Sequence, residues 1–285
     1  MNVPNAGLQR NVQNKESPLG HKVDYVSVYT PSLLCPIPRG ESRRMLGLDP
    51  GKLPFQGMDV WTAYEVSWLD GKGKPHVAVA KFFFPANSHS MVESKSFKLY
   101  LNSYNQTRFN NLSEVVKTLE SDLSIACGGP VIAQVMPLNK VVQAGLGHFA
   151  AEYIDGLDIT VTDYSVNPNL LSADQMSPMI RESLCSDLLK TNCPVTGQPD
   201  WASVMVSYFG RPIDREGLLK YLISYREHQD YHENCVERMY CDIMSRCKPE
   251  RLTVTARFTR RGGLDINPFR TNCGEEEVEL RLARQ

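Results

Sequence analysis

A thiol and a carboxylate stand seven residues apart in Thr191-Asn192-Cys193-Pro194-Val195-Thr196-Gly197-Gln198-Pro199-Asp200-Trp201. A free thiol has a pKa of ~8.5, so near neutrality it needs help to become a nucleophile. Asp200 can carry the proton, provided the Pro- and Gly-punctuated loop folds back on itself. A polar loop just before a strand is an unusual home for a merely structural cysteine. The plain alternative is a loop Cys beside a turn Asp.

Other clusters carry polar chemistry of a less specific kind. His232-Glu233-Asn234-Cys235 opens a helical run. An adjacent His and Glu suit recognition of a polar heterocycle through hydrogen bonds, and the plain alternative is a solvated helix start. His232 and Cys235 at i, i+3 share a helix face and could bind a metal, but no second close Cys or His pair completes a zinc set. Glu93-Ser94-Lys95-Ser96-Phe97-Lys98 offers two lysines, and Arg257 with Arg260-Arg261-Gly262-Gly263 offers three arginines. Gly lets backbone amides approach an anion while Arg supplies bidentate donors, so both segments are potential phosphate contacts. Such charge runs are usually solvated faces. Gly145-Leu146-Gly147-His148-Phe149-Ala150 matches the G-x-G-x-x-A form of a dinucleotide fingerprint. That chemistry needs a strand before and a helix after it, whereas Asp155-Gly156 interrupts within two turns.

The elements that hold these residues belong to an ordinary globular chain. Of 285 residues 42% are hydrophobic and 22% charged, which excludes a mostly disordered protein. A net charge of −1 argues against broad nucleic-acid binding. No apolar run reaches the ~18–20 residues of a membrane helix. Met1 to Ser17 is polar and lacks a signal-peptide core, so a cytosolic setting is expected. The eight cysteines are then reduced thiols, most of them small buried hydrophobes. The length suits about two domains.

A weak internal repeat divides the chain. At an offset of 140, Trp61 meets Trp201, Val66 and Ser67 meet Val206 and Ser207, Glu93 meets Glu233, and Tyr100 meets Tyr240. Val60–Leu69 and His76–Phe84 read as a β-hairpin around Asp70-Gly71-Lys72-Gly73-Lys74-Pro75. Ile213–Tyr225 alone could pass for a helix capped by Asp214, but the offset lays Leu218–Ser224 on the second hairpin strand, and a strand is expected there. Helical spacing follows each hairpin, from Leu112 to the Gly128-Gly129-Pro130 stop and from His232 to Cys247. Val131–Met136 and Arg251–Thr259 read as closing strands. Both halves thus read ββ-helix-ββ, an antiparallel α+β class, with a linker over Tyr164–Pro178.

Taken together, the E-S-K-S-F-K segment, the Cys193–Trp201 loop, His232-Glu233 and Arg260-Arg261-Gly262-Gly263 resemble the 7-cyano-7-deazaguanine reductases, the nitrile-reducing family of queuosine biosynthesis. The resemblance covers most of the chain and fits the long, two-module branch. It implies two tandem tunnelling-fold units, 1–164 with the E-S-K-S-F-K motif and 165–285 with the cysteine, their antiparallel sheets carrying helices on one face. It implies Cys193 as the nucleophile that forms a thioimide and Asp200 as the proton donor. The deazaguanine ring would lie around Val92, Glu93, Ser94, His232 and Glu233. NADPH would contact Ser94, Lys95, Arg261 and Gly262. No metal, membrane or direct nucleic-acid partner is implied, and a cytoplasmic homodimer is expected. The alternatives are a zinc-dependent pterin or purine hydrolase of the same superfamily, which predicts bound metal, and a non-catalytic nucleobase-binding module, which predicts an indifferent Cys193.

Overall fold

The computed structural model describes residues 25–138, 141, 146–274 and 280–285. The readings of Met1–Ser17 and of Gly145 lie outside these residues. A short strand β1 (Pro36–Pro38) and a helix α1 (Gly40–Met45) precede the hairpin of β2 (Gln56–Leu69) and β3 (Pro75–Pro85). Its turn is closed by Asp70, whose Oδ1 accepts from the backbone N–H of Lys72 and Lys74. There follow β4 (Ser90–Val92), α2 (Ser94–Asn102), α3 (Leu112–Cys127), β5 (Ile132–Pro137) and β6 (Glu152–Tyr153). The second half contains β7 (Ile180–Asn192), β8 (Pro199–Gly210), α4 (Arg215–Ile223), α5 (His232–Cys247), β9 (Arg251–Phe258) and β10 (Leu264–Thr271).

Eight strands form one sheet in the order β5-β3-β2-β10-β9-β8-β7-β6, antiparallel except where β6 joins β7. The two halves meet at β10 and β2, with Ile266 opposite Trp61. Side chains alternate across the pleat. Trp61, Ala63, Ala80, Phe82, Phe84, Ala133 and Val135 join the core under the helices of the first half. Leu252, Val254, Ala256 and Phe258 do the same in the second. The intervening Val60, Thr62, Lys81, Phe83, Asn267 and Phe269 line a cavity of about 1310 Å³ on the opposite face. The α+β class with antiparallel strands and helices on one face is therefore as the sequence implied. Among the described residues no helix starts directly after Gly147, so the surroundings a dinucleotide fingerprint needs are not there.

Three expectations from the repeat need correction. Residues 215–223 are helix, not strand, with Asp214 at the N-cap position. Leu218, Leu222 and Tyr225 are buried together at i, i+4 and i+7, the spacing of a helix face. Each hairpin is also followed by two helices rather than one, α2 and α3 in the first half and α4 and α5 in the second. The internal offset is about 120, not 140: Ser94 corresponds to Arg215 and Leu112 to His232. Tyr100 bonds Tyr104 at 2.5 Å and Asp122 at 2.6 Å, and Tyr221 bonds Tyr225 at 2.8 Å and Asp242 at 2.7 Å. The β-bulges match too, between Ala63 and Val66 and between Ser186 and Leu189. The false offset lays the first strand of one hairpin on the second strand of the other. Both are aromatic and β-branched, so a slip of one strand still scores matches.

Candidate active site

Cys193 and Asp200 lie on the two arms of one β-hairpin. β7 ends at Asn192 and β8 starts at Pro199, with Thr191 paired to Asp200. The Cys193 N–H donates to the Gln198 carbonyl at 2.8 Å, and the Gly197 N–H returns to the Cys193 carbonyl at 3.0 Å. Gly197 takes a φ of 67°, the left-handed region the turn requires. The loop does fold back on itself, as proton transfer between the two side chains would need.

The thiols divide by environment. Burial pushes those of Cys127, Cys185, Cys235, Cys241 and Cys247 up. At Cys193 burial also acts upward, but hydrogen bonds from the Thr196 side chain, the Thr196 and Val195 backbone and the Arg261 guanidinium outweigh it. The Cys193 thiol therefore ionises below its ordinary range, which increases the thiolate fraction near neutrality.

Asp200 is buried between two partners, Arg261 Nε at 2.9 Å from Oδ1 and His232 Nε2 at 3.3 Å from Oδ2. His232 is the first residue of α5, and its ring stacks on Phe258 at a centroid distance of 3.8 Å. Its other nitrogen, Nδ1, is buried without a hydrogen-bond partner. Glu233 is only 2% exposed, so this helix start is not a solvated one. Burial, then the Asp59 carboxylate, push the Glu233 carboxyl above the usual carboxylate range, while Arg39 and Arg270 pull against them.

The first half contributes Val92, Glu93, Ser94 and Lys95. Val92 is buried on β4 and pairs with Pro36. Glu93 caps α2, its Oε1 accepting from the Lys95 N–H and its Oε2 from the Ser96 N–H, both at 2.7 Å. Its carboxyl is nonetheless pushed up by burial. Ser94 Oγ bonds Glu93 Oε1 at 3.3 Å. The Tyr231 phenol is pushed up by burial and then by the charges of Glu93, Cys193, Glu233 and Asp230.

Arg261 and Leu264 close a tight turn through bonds of 2.8 and 3.2 Å, with Gly262 at φ 60° and Gly263 at φ 80°. Positive φ at both central residues is the hairpin turn in which Gly is favoured. A Cβ on Gly262 would sit 3.8 Å from Lys98 Cδ, and one on Gly263 2.6 Å from the Glu65 carboxyl carbon. The Arg-Gly-Gly turn thus lies against α2, the helix of the E-S-K-S-F-K segment. Sequence spacing missed two features here: the Arg261–Asp200 ion pair and the Phe258 stack. The only signal for either was the apolar alternation of β9. Cys235 belongs to the hydrophobic core of the second half. Among the described residues no group of three His, Cys, Asp or Glu is placed to hold a metal, and no helix is long and apolar enough to cross a membrane.

Comparison with known proteins places the chain in a family. Residues 25–135 match the family described as nitrile reductase, 7-cyano-7-deazaguanine-reductase N-term, and residues 199–277 match QueF-like protein. The chain is 54% identical to the NADPH-dependent 7-cyano-7-deazaguanine reductase of Bordetella avium over 95% of its own length and 98% of the relative's. The reductase so named from Chromobacterium violaceum is 50% identical over 95% and 97%. That of Ralstonia nicotianae is 51% identical over 95% and 99%. At this identity over nearly the full length of both chains, the protein belongs to the NADPH-dependent 7-cyano-7-deazaguanine reductase family of oxidoreductases.

Proposed function

We propose that this chain reduces the nitrile of 7-cyano-7-deazaguanine to the aminomethyl product, in queuosine biosynthesis, through a thioimide on Cys193. One observation carries the reading: Cys193 is the thiol whose ionisation is eased, and it lies across a hairpin from a buried Asp200. A nitrile carbon is a poor hydride acceptor, because reduction would leave charge on an unprotonated nitrogen. Addition of the Cys193 sulfur to that carbon, with Asp200 delivering a proton to the nitrogen, gives a neutral thioimide. Asp200 takes up the proton that sulfur loses and passes it to the nitrogen, so the step balances and returns Asp200 to its starting state. After the first reduction the C–S bond breaks, Cys193 leaves as thiolate, and the resulting imine is reduced again to the amine.

Ser94, Lys95, Arg261 and Gly262 fit a phosphate-bearing cofactor. The Arg261 side chain is 37% exposed beyond its bond to Asp200, and its Gly-Gly turn lies against Lys98 of α2. NADPH supplies the hydride when bound, twice for each nitrile. Val92, Glu93, Ser94, His232 and Glu233 hold the deazaguanine ring in this reading. Buried carboxylates beside a heterocycle accept its N–H donors, and the unpartnered His232 Nδ1 has capacity for a further bond. Burial of these groups also keeps water from the imine.

The same reading takes 1–164 and 165–285 as two tandem tunnelling-fold modules, acting as a cytoplasmic homodimer on a free deazapurine without a nucleic-acid or membrane partner. The equal helix pairs and matched bulges of the halves support the two modules. The test is to mix the protein with 7-cyano-7-deazaguanine and follow NADPH absorbance. Loss of two NADPH per nitrile is expected, and no consumption across a range of conditions overturns the proposal.

A further inference from the structure

One turn along α5 from Glu233, at Glu237, lies a group of charges that the reaction itself does not use. Arg39 Nη2 is 2.5 Å from Asp59 Oδ2, and Arg270 Nη1 is 2.8 Å from Asp59 Oδ1. Arg270 Nη2 is 2.9 Å from Glu237 Oε1, and Arg43 holds the same carboxylate at 2.7 and 3.0 Å. All five side chains are at most 4% exposed. They come from four elements: Arg39 and Arg43 from the start and body of α1, Asp59 from β2, Arg270 from β10, and Glu237 from α5. Burying this many charges is costly unless each is paired, so the group is a poor device for stability alone.

Its geometry gives it another use. Glu237 is four residues after Glu233 on α5, so both project from one helix face, and both are buried. Three guanidiniums face only two carboxylates in the network, and Arg39 Nη1 is buried with no hydrogen-bond partner, 3.9 Å from Glu237. An ionised Glu233 brings the count to three against three. We propose that Arg39, Asp59, Arg270 and Glu237 are positioning residues for Glu233, holding its face of α5 through the network and balancing its charge when it accepts the heterocycle's N–H donors. The proposal rests on the reading of Glu233 as a substrate contact. The groups facing Glu233 are Asp59, Arg39 and Arg270 across the helix face, with Tyr231 and Cys235 on its own segment.

Asp59 and Arg39 act on Glu233 with opposite signs, and a merely structural role would not separate them. Asp59→Asn removes a negative charge and is expected to move the acidic limb of nitrile kcat/KM down by about one pH unit. Arg39→Gln is expected to move it up by a similar amount; one unit equals about tenfold in kcat/KM well below the limb. The KM for NADPH stays within about twofold in both. Glu233→Gln serves as the reference. If it leaves the nitrile KM and its pH dependence unchanged, the reading of Glu233 fails and the proposal with it. If it removes the limb, while folded Asp59→Asn and Arg39→Gln leave the limb in place or shift it the same way, the network proposal alone is overturned. Where either variant fails to fold, a carbon-13 glutamate titration of the wild-type protein decides, with Glu233→Gln identifying the signal. A Glu233 carboxyl titrating above the ordinary range is expected, and one within it overturns the proposal.

Discussion

Arg261 places its Nε 2.9 Å from Oδ1 of Asp200, and the same guanidinium is one of the groups that ease ionisation of the Cys193 thiol. One guanidinium therefore acts on both of the groups proposed to handle the proton. The residue implied as a cofactor contact would then also organise the pair proposed to react.

Replacing it should separate these roles. Arg261→Ala removes one of the groups that ease Cys193 ionisation, so the thiolate forms at higher pH. The iodoacetamide alkylation curve of Cys193 is expected to shift upward in pH, with a roughly three- to tenfold slower rate near neutrality. The shift is partial because the Val195 and Thr196 N–H groups remain. An unchanged curve would show that the guanidinium does not act on the thiol.

Asp200→Asn keeps the shape of the side chain and removes its capacity to carry a proton. The turnover number should fall about 10²- to 10⁴-fold, the usual range for loss of a general acid or base. NADPH binding, measured by fluorescence titration, should hold within a few-fold. A variant that retains near-normal turnover would assign the proton to another group.

The Gly262-Gly263 turn has its own test. Gly263 has φ 80°, and a Cβ there would fall 2.6 Å from the Glu65 carboxyl carbon. Gly263→Ala strains the turn by about 1–2 kcal/mol and displaces Glu65 from Lys98. The KM for NADPH should rise about tenfold with the nitrile KM little changed. Equal increases in both would point to a general distortion of the site.

Acid stability follows from Glu237. Burial pushes its carboxyl up, but Arg270, Arg43 and Arg39 outweigh burial and hold it below its ordinary value of 4.5. Its contribution is complete above the unfolded-state value and is lost as pH falls through the lower folded value. The melting temperature should therefore decline as pH is lowered below about 4.5, and Glu237→Gln should be less stable at pH 7 with a shallower acid slope. A parallel decline in both proteins would remove Glu237 from the cause.

How far the sequence could be read depended on the range of the interactions. α5 runs from His232 to Cys247, the limits its spacing predicts, because Cys235, Met239, Ile243 and Cys247 mark one face. The Cys193–Asp200 segment was legible only as a Pro- and Gly-punctuated loop before a strand, because the repeat offset placed the second hairpin elsewhere and left β7 unread. α4 was misread although Asp214 and Leu218 signalled a helix locally, since a repeat offset built on a few aromatic matches overrode them. The arginine network around Glu237 was illegible for a different reason. Arg39, Asp59, Glu237 and Arg270 lie far apart in the chain, and only the packing of α5 on β10 and β2 brings them together.

The central claim is that Cys193 bonds covalently to the nitrile carbon, and intact-mass measurement tests it most directly. With 7-cyano-7-deazaguanine and no NADPH, the protein should gain the whole mass of the substrate, and Cys193→Ala should gain none. An adduct that persists in Cys193→Ala, or no adduct in the wild-type protein under conditions where it turns over, would contradict the account.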